Sequence, residues 1–79
     1  MDDKEKVIKI ISVVTKVDIK QINETSSMND LIKWDSLAHL NIILEIEKKI
    51  NKKIDASMMS ELTSVKSIID YLKKVNVIS

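Results

Sequence analysis

Apolar residues in this chain recur at the spacing of amphipathic helices, in blocks separated by polar turn chemistry. Over residues 4 to about 15, Val7, Ile10, Ile11 and Val14 follow the three-and-four spacing that gathers side chains on one side of a helix. Asp2, Asp3 and Glu5 stand at its start, where the helix dipole favours anions. From Lys16 to Asp35 the period breaks. Asp18, Asn23, Thr25, Ser26, Ser27, Asn29 and Asp30 bring turn-forming side chains, yet Val17, Ile19, Ile22, Met28, Leu31, Ile32 and Trp34 recur too often for a free linker. The pattern predicts a long ordered loop packed on the helices, and such loops in small domains are often functional.

A second helix is predicted from Ser36 to Ile50 or Asn51. Leu37, Leu40, Ile43, Leu44 and Ile50 suit its buried stripe, and Asn41, Glu45, Lys48 and Lys49 its wet side. Ile54-Asp55-Ala56-Ser57 then turns the chain into a short helix around residues 58–61. Thr63 or Ser64 reads as the N-cap of a last helix reaching about residue 74, with Val65, Ile68, Ile69 and Leu72 as its stripe and Lys73 and Lys74 at the end that favours cations.

The chain has 79 residues and neither glycine nor proline. Tight hairpins want Asn-Gly or Asp-Gly, and helix caps in sheet-and-helix units commonly use glycine, so sheet architectures are disfavoured. The expected fold is all-α: a small four-helix bundle of three main helices and one short one, with a long first loop, spanning 1–79 as one domain. At this length a single core supplies only a few kcal/mol of net stability, and no large active-site cleft is expected.

Charge and cysteine content remove several functions. Thirteen lysines face twelve carboxylates, with no arginine, one tryptophan and one tyrosine. Nucleic-acid binders normally concentrate arginine and aromatic side chains on a basic surface, so nucleic acid is not an expected partner. Without cysteine there is neither a disulfide framework nor a thiolate metal site, and one histidine excludes clustered His/Cys ligands, so no metal is expected. The acidic start does not resemble a secretory signal, and no apolar run reaches membrane-spanning length. These features predict a cytoplasmic protein without stable membrane insertion, expected to be a monomer. Lys48, Lys49, Lys52 and Lys53 crowd the end of the second helix. Dipole complementation and solvation explain them most simply, with an anion-binding site as the alternative.

The segment Trp34-Asp35-Ser36-Leu37-Ala38-His39-Leu40 carries the candidate chemistry. Asp35 is a strong N-cap, which makes Ser36 the first helical residue with its hydroxyl toward solvent. A helix N-terminus suits a phosphodiester attached at that hydroxyl. Plain capping is the simpler reading of the tripeptide alone. A hydrolase built on Ser36 and His39, three apart on one helix surface, would also need an orienting group, an oxyanion hole and a pocket, so His39 reads as a surface histidine. Trp34 reads first as packing that closes one end of the bundle, with docking of a partner or of a prosthetic arm as the alternative. Met58 and Met59 read as core filling.

Asp35-Ser36-Leu37 resembles the attachment motif of acyl and peptidyl carrier proteins. The order of helices, the long loop ending at the motif, Glu47, Ile54, Leu62-Thr63-Ser64-Val65 and Ile69-Asp70-Tyr71-Leu72 extend that resemblance over the whole chain. It implies that Ser36 receives a covalent 4′-phosphopantetheine arm from coenzyme A. It implies further that Asp35 helps a phosphopantetheinyl transferase position its metal and coenzyme A, and that Leu37 helps seat the second helix and engage partners. Trp34, Ala38 and Asn41 join the recognition set, and Ile54, Met59, Leu62 and Ile69 a pocket for the acyl chain. The carrier itself would catalyse nothing. Its partners would be the transferase, an acyl- or aminoacyl-activating ligase and acyl-transfer enzymes.

Two positions depart from the fatty-acid carriers that the chain resembles: Ala38 and Asn41 stand where those carriers usually place acids. With the near-neutral charge, this implies a dedicated stand-alone carrier in secondary-metabolite, cell-surface or lipid biosynthesis, against the alternative of a housekeeping fatty-acid carrier. The glycine that often precedes the motif is absent as well. From other classes, an unmodified carrier-like interaction module and a small helical inhibitor or toxin-antitoxin partner remain as rivals.

Overall fold

A computed structural model describes residues 3–78, the side chains of 76–78 excepted. Its elements are α1 (Asp3–Thr15), a single turn of 3-10 helix (Ile19–Gln21), α2 (Ser36–Ile50), α3 (Ala56–Glu61) and α4 (Val65–Ile78). The expected all-α bundle with one short helix and one long loop is what forms. Asp3 and Glu5 occupy the first turn of α1; Asp2 lies outside the described residues. The short helix begins at Ala56, because the Asp55 carboxylate accepts from the Met58 amide at 2.7 Å and caps it there. The last helix outruns the predicted stop at Lys74 and continues to Ile78, so Lys73 and Lys74 lie inside it instead of closing it.

With no glycine available, two other residues take the left-handed backbone that ends a helix. Lys16 follows α1 at φ 62°, and Asn51 follows α2 at φ 54°. Asparagine tolerates this region and lysine does so at a cost. At the end of α2 the amides of Asn51 and Lys52 both turn back onto the Glu47 carbonyl, and the Glu47 carboxylate accepts from the Ile54 amide at 2.6 Å. One residue thereby closes the α2–α3 connection from both its backbone and its side chain.

One core holds the helices together. Val7, Ile10 and Ile11 of α1 meet Ile42, Ile43 and Ile46 of α2 and Val65, Ile68, Ile69 and Leu72 of α4. Ile22 and Trp34 enter that core from the long loop, with Met28 and Leu31 half-buried against it. The loop is clasped at its middle. Met28 N–H donates to the Thr63 carbonyl at 2.8 Å, and Val65 N–H, an otherwise orphaned donor at the start of α4, donates to the Ser26 carbonyl at 3.0 Å. Of the two predicted caps, Thr63 and Ser64, it is Ser64 that caps α4: its hydroxyl accepts from the Ser67 amide while Ser67 Oγ accepts from the Ser64 amide, each at 3.1 Å. The loop packs on the bundle as expected, but two of its apolar residues do not take part. Ile19 is exposed, and Ile32 is 98% exposed at the turn before Trp34.

The buried side of α2 also differs from expectation. Ala38, His39, Ile42, Ile43 and Ile46 face inward, while Leu37, Leu40 and Leu44 face solvent and Ile50 is intermediate. Two apolar stripes compete on this helix. The inward one prevails because its β-branched isoleucines meet the α1 isoleucines, and because the one polar group it buries has its hydrogen bonds met.

Relief of the strain at Lys16 tests the cap geometry. Lys16→Gly should raise stability by about 1 kcal/mol, and Lys16→Val should lower it. In thermal unfolding this corresponds to a midpoint about 4–8 °C higher for the glycine variant.

Candidate functional site

Ser36 is the first residue of α2, and the chain enters it from Asp35 in extended conformation, φ −91° and ψ −174°. Asp35 Oδ1 accepts from the Ala38 amide at 2.9 Å, and the Asp35 carbonyl takes the His39 amide at 2.8 Å. The amides of Ser36 and Leu37 have no intrahelical acceptor, as at any helix start. Ser36 is exposed, and its hydroxyl has no hydrogen-bond partner among the described residues. A primary alcohol thus projects from the positive end of a four-turn helix with nothing masking it.

Beneath that exposed serine lies a buried polar chain. Trp34 is 1% exposed and His39 7% exposed. Trp34 Nε1–H donates to His39 Nδ1 at 3.0 Å, and His39 Nε2 lies 2.8 Å from the Met59 carbonyl of α3. An indole N–H can only donate, so Nδ1 must accept. The ring proton therefore sits on Nε2 and is donated to Met59. The two rings also stack at a tilt, centroids 5.9 Å apart. His39 is consequently no surface histidine and no general base for Ser36: both of its nitrogens are committed.

The other expected site residues divide by position. Leu37, at 69% exposure, and Asn41 are on the surface. Ala38 is buried, and Trp34 belongs to the core. Ile54, Leu62 and Ile69 are buried in the core and Met59 is half-buried against it. Leu62 lines an open cleft between α3 and α4 with Met58 and Tyr71, whereas Ile54, Met59 and Ile69 line none of the principal cavities of the described residues. The four expected pocket residues therefore belong to, or pack against, one core. Sequence reasoning missed the role of His39. Its signal was present, since Trp34 and His39 stand five residues apart across a cap, but each was weighed alone.

The family described as a phosphopantetheine attachment site matches residues 5–72. That is most of the chain, and the protein belongs to this family of phosphopantetheine-bearing carriers. An acyl carrier protein of Thermotoga maritima is 29% identical over 69 residues, which cover 87% of this chain and 85% of that protein. The prosthetic group of the family is 4′-phosphopantetheine, held covalently. The α2 start fits such a group, for it combines an unmasked hydroxyl with free backbone N–H groups at a helix N-terminus, where a phosphodiester is favoured.

The buried polar chain can be measured directly. His39→Ala strands the Trp34 N–H and the Met59 carbonyl and should cost about 2–3 kcal/mol in urea unfolding. Trp34→Phe removes the indole donor, and the two substitutions together should cost less than the sum by about 1 kcal/mol. Additivity would show that the two rings are not coupled.

Proposed function

We propose that this chain is a single carrier domain whose Ser36 bears the 4′-phosphopantetheine arm, and that acyl or aminoacyl groups ride on the arm as thioesters. The observation that carries this reading is the unmasked Ser36 hydroxyl at the Asp35-capped start of α2. The arm supplies a terminal thiol, activated for acyl transfer as a thioester, and its tether raises the cargo's effective concentration at successive enzymes.

The chain's own residues present and position. Ser36 offers the alcohol oxygen that becomes the phosphodiester. Asp35 spends Oδ1 on the helix cap, leaving Oδ2 without a hydrogen bond among the described residues and open to a transferase-bound metal. Leu37, projecting beside Ser36, offers apolar surface to the transferase and to later partners: an acyl- or aminoacyl-activating ligase and acyl-transfer enzymes. The chain catalyses no step itself. Having both imidazole nitrogens of His39 in use supports this, because it removes the histidine nearest to Ser36 on α2 as a base.

A dedicated carrier of the cytoplasm, serving secondary-metabolite, cell-surface or lipid biosynthesis, suits the surface better than a housekeeping fatty-acid carrier. Of the two departures, Asn41 is the one that counts. Ala38 is buried, and a residue there adds nothing to the docking charge, whereas Asn41 replaces a surface acid with a neutral amide.

Co-expression with a promiscuous phosphopantetheinyl transferase should add one phosphopantetheine to the intact mass of the wild type. Ser36→Ala should keep its helical circular dichroism and gain nothing. A wild-type chain that stays unmodified under those conditions would return the protein to the unmodified interaction modules.

A further inference from the structure

The near-neutral net charge of the chain conceals an uneven distribution. Between α1 and α2 runs an open groove of about 700 Å³, with Ile10, Val13, Val14 and Leu44 as its apolar lining. Lys6 and Lys9 stand on the α1 bank, and Lys48 and Lys49 on the α2 bank. Glu45 is the one carboxylate among the lining residues, and it already pairs with Lys48 at 3.3 Å. The groove thus gathers four of the thirteen lysines and one of the twelve acids, leaving the rest of the chain with more carboxylates than lysines.

Helix-end electrostatics do not explain this arrangement. Lys48 and Lys49 occupy the last turn of α2, where cations complement the dipole. Lys6 and Lys9, however, lie in the first two turns of α1, the end where cations are disfavoured. A shared cleft lined by Asp3, Lys6 and Ile10 with Ile46, Lys49 and Ile50 shows the two helices antiparallel, which brings both lysine pairs to one end of the bundle. All four lysines are exposed, and Lys6, Lys9 and Lys49 have no carboxylate within ion-pair distance among the described residues. Apolar surface lies open one turn further along the groove: Val13 is 68% exposed and Leu44 44%. A second cleft shares Leu44 and Lys48 and carries the basic surface on to Lys52 and Lys53.

We infer that the α1–α2 groove docks an acidic amphipathic helix of a partner protein, whose aliphatic side chains rest on Val13 and Leu44 and whose carboxylates meet Lys6, Lys9, Lys48 and Lys49. Concavity favours a helix over a bilayer surface, because the groove runs between two helices and part of its apolar lining, Ile10 and Val14, is withdrawn from a flat surface. Carboxylates spaced along one helix can reach both banks while an aliphatic stripe fills the space between them. The surface is separate from Ser36, and the inference stands whether or not the arm is attached.

The test titrates the ¹⁵N-labelled full chain with a synthetic amphipathic helical peptide that carries leucines flanked by glutamates. The same peptide with lysine in place of glutamate, and vesicles of phosphatidylglycerol and phosphatidylcholine, serve as the other arms. The acidic peptide should shift the amides of Ile10, Val13, Leu44 and Lys48, and added salt should weaken it. Replacing Lys6, Lys9, Lys48 and Lys49 together by glutamate should weaken it at least tenfold and reverse the preference toward the basic peptide. Val13→Asn should weaken both peptides without changing that preference. Ser36→Ala should bind as the wild type does, which separates this result from the attachment assay. Equal binding of the two peptides by the wild type, shifts located elsewhere, or attachment to vesicles in place of the peptide would each overturn the assignment.

Discussion

The start of α2 depends on one buried relay: the Trp34 indole donates to His39, and His39 donates to the Met59 carbonyl. It ties the end of the long loop and the first turn of α2 to the body of α3. An imidazole is suited to the junction because in its neutral form it accepts at one nitrogen and donates at the other. Each partner is buried or half-buried, so a missing link would leave a polar group unsatisfied at a cost of about 1–3 kcal/mol. For a domain of this size that is a large share of the whole stability.

The relay also sets the rotation of α2. With His39 turned inward, Ile42, Ile43 and Ile46 follow it into the core and Leu37, Leu40 and Leu44 turn outward. Ser36 is left exposed immediately after a loop end pinned by Trp34, and Asp35 caps the helix from the same junction. Firm support beneath and open solvent above suit the attachment role proposed for Ser36. The same rotation leaves Leu37, Leu40 and Leu44 as exposed apolar surface on the outer side of α2.

Much of this was legible in the sequence. Asp35 as N-cap, the limits of α2, a cap at Thr63 or Ser64 and the absence of sheet among the described residues follow from local rules of capping, period and turn chemistry, which a sequence displays directly. The rotation of α2 was not legible in the same way. Leu37, Leu40 and Leu44 match a helical stripe as well as Ile42, Ile43 and Ile46 do, and only the facing isoleucines of α1 and the partners of His39 decide between them. Ile32 misled for a related reason, since an isoleucine in a loop signals packing only if the backbone turns it inward. The groove was half visible. Lys48 and Lys49 stood out as a cluster, but Lys6 and Lys9 join them only once α1 and α2 lie antiparallel.

The most direct measurement is the state of the His39 ring, read by long-range ¹⁵N–¹H correlation in the neutral imidazole together with exchange of the Trp34 indole proton. The relay requires the proton on Nε2, an unprotonated Nδ1, and an indole proton strongly protected from solvent exchange. A proton on Nδ1, or an indole proton exchanging as fast as that of a free tryptophan, would contradict it.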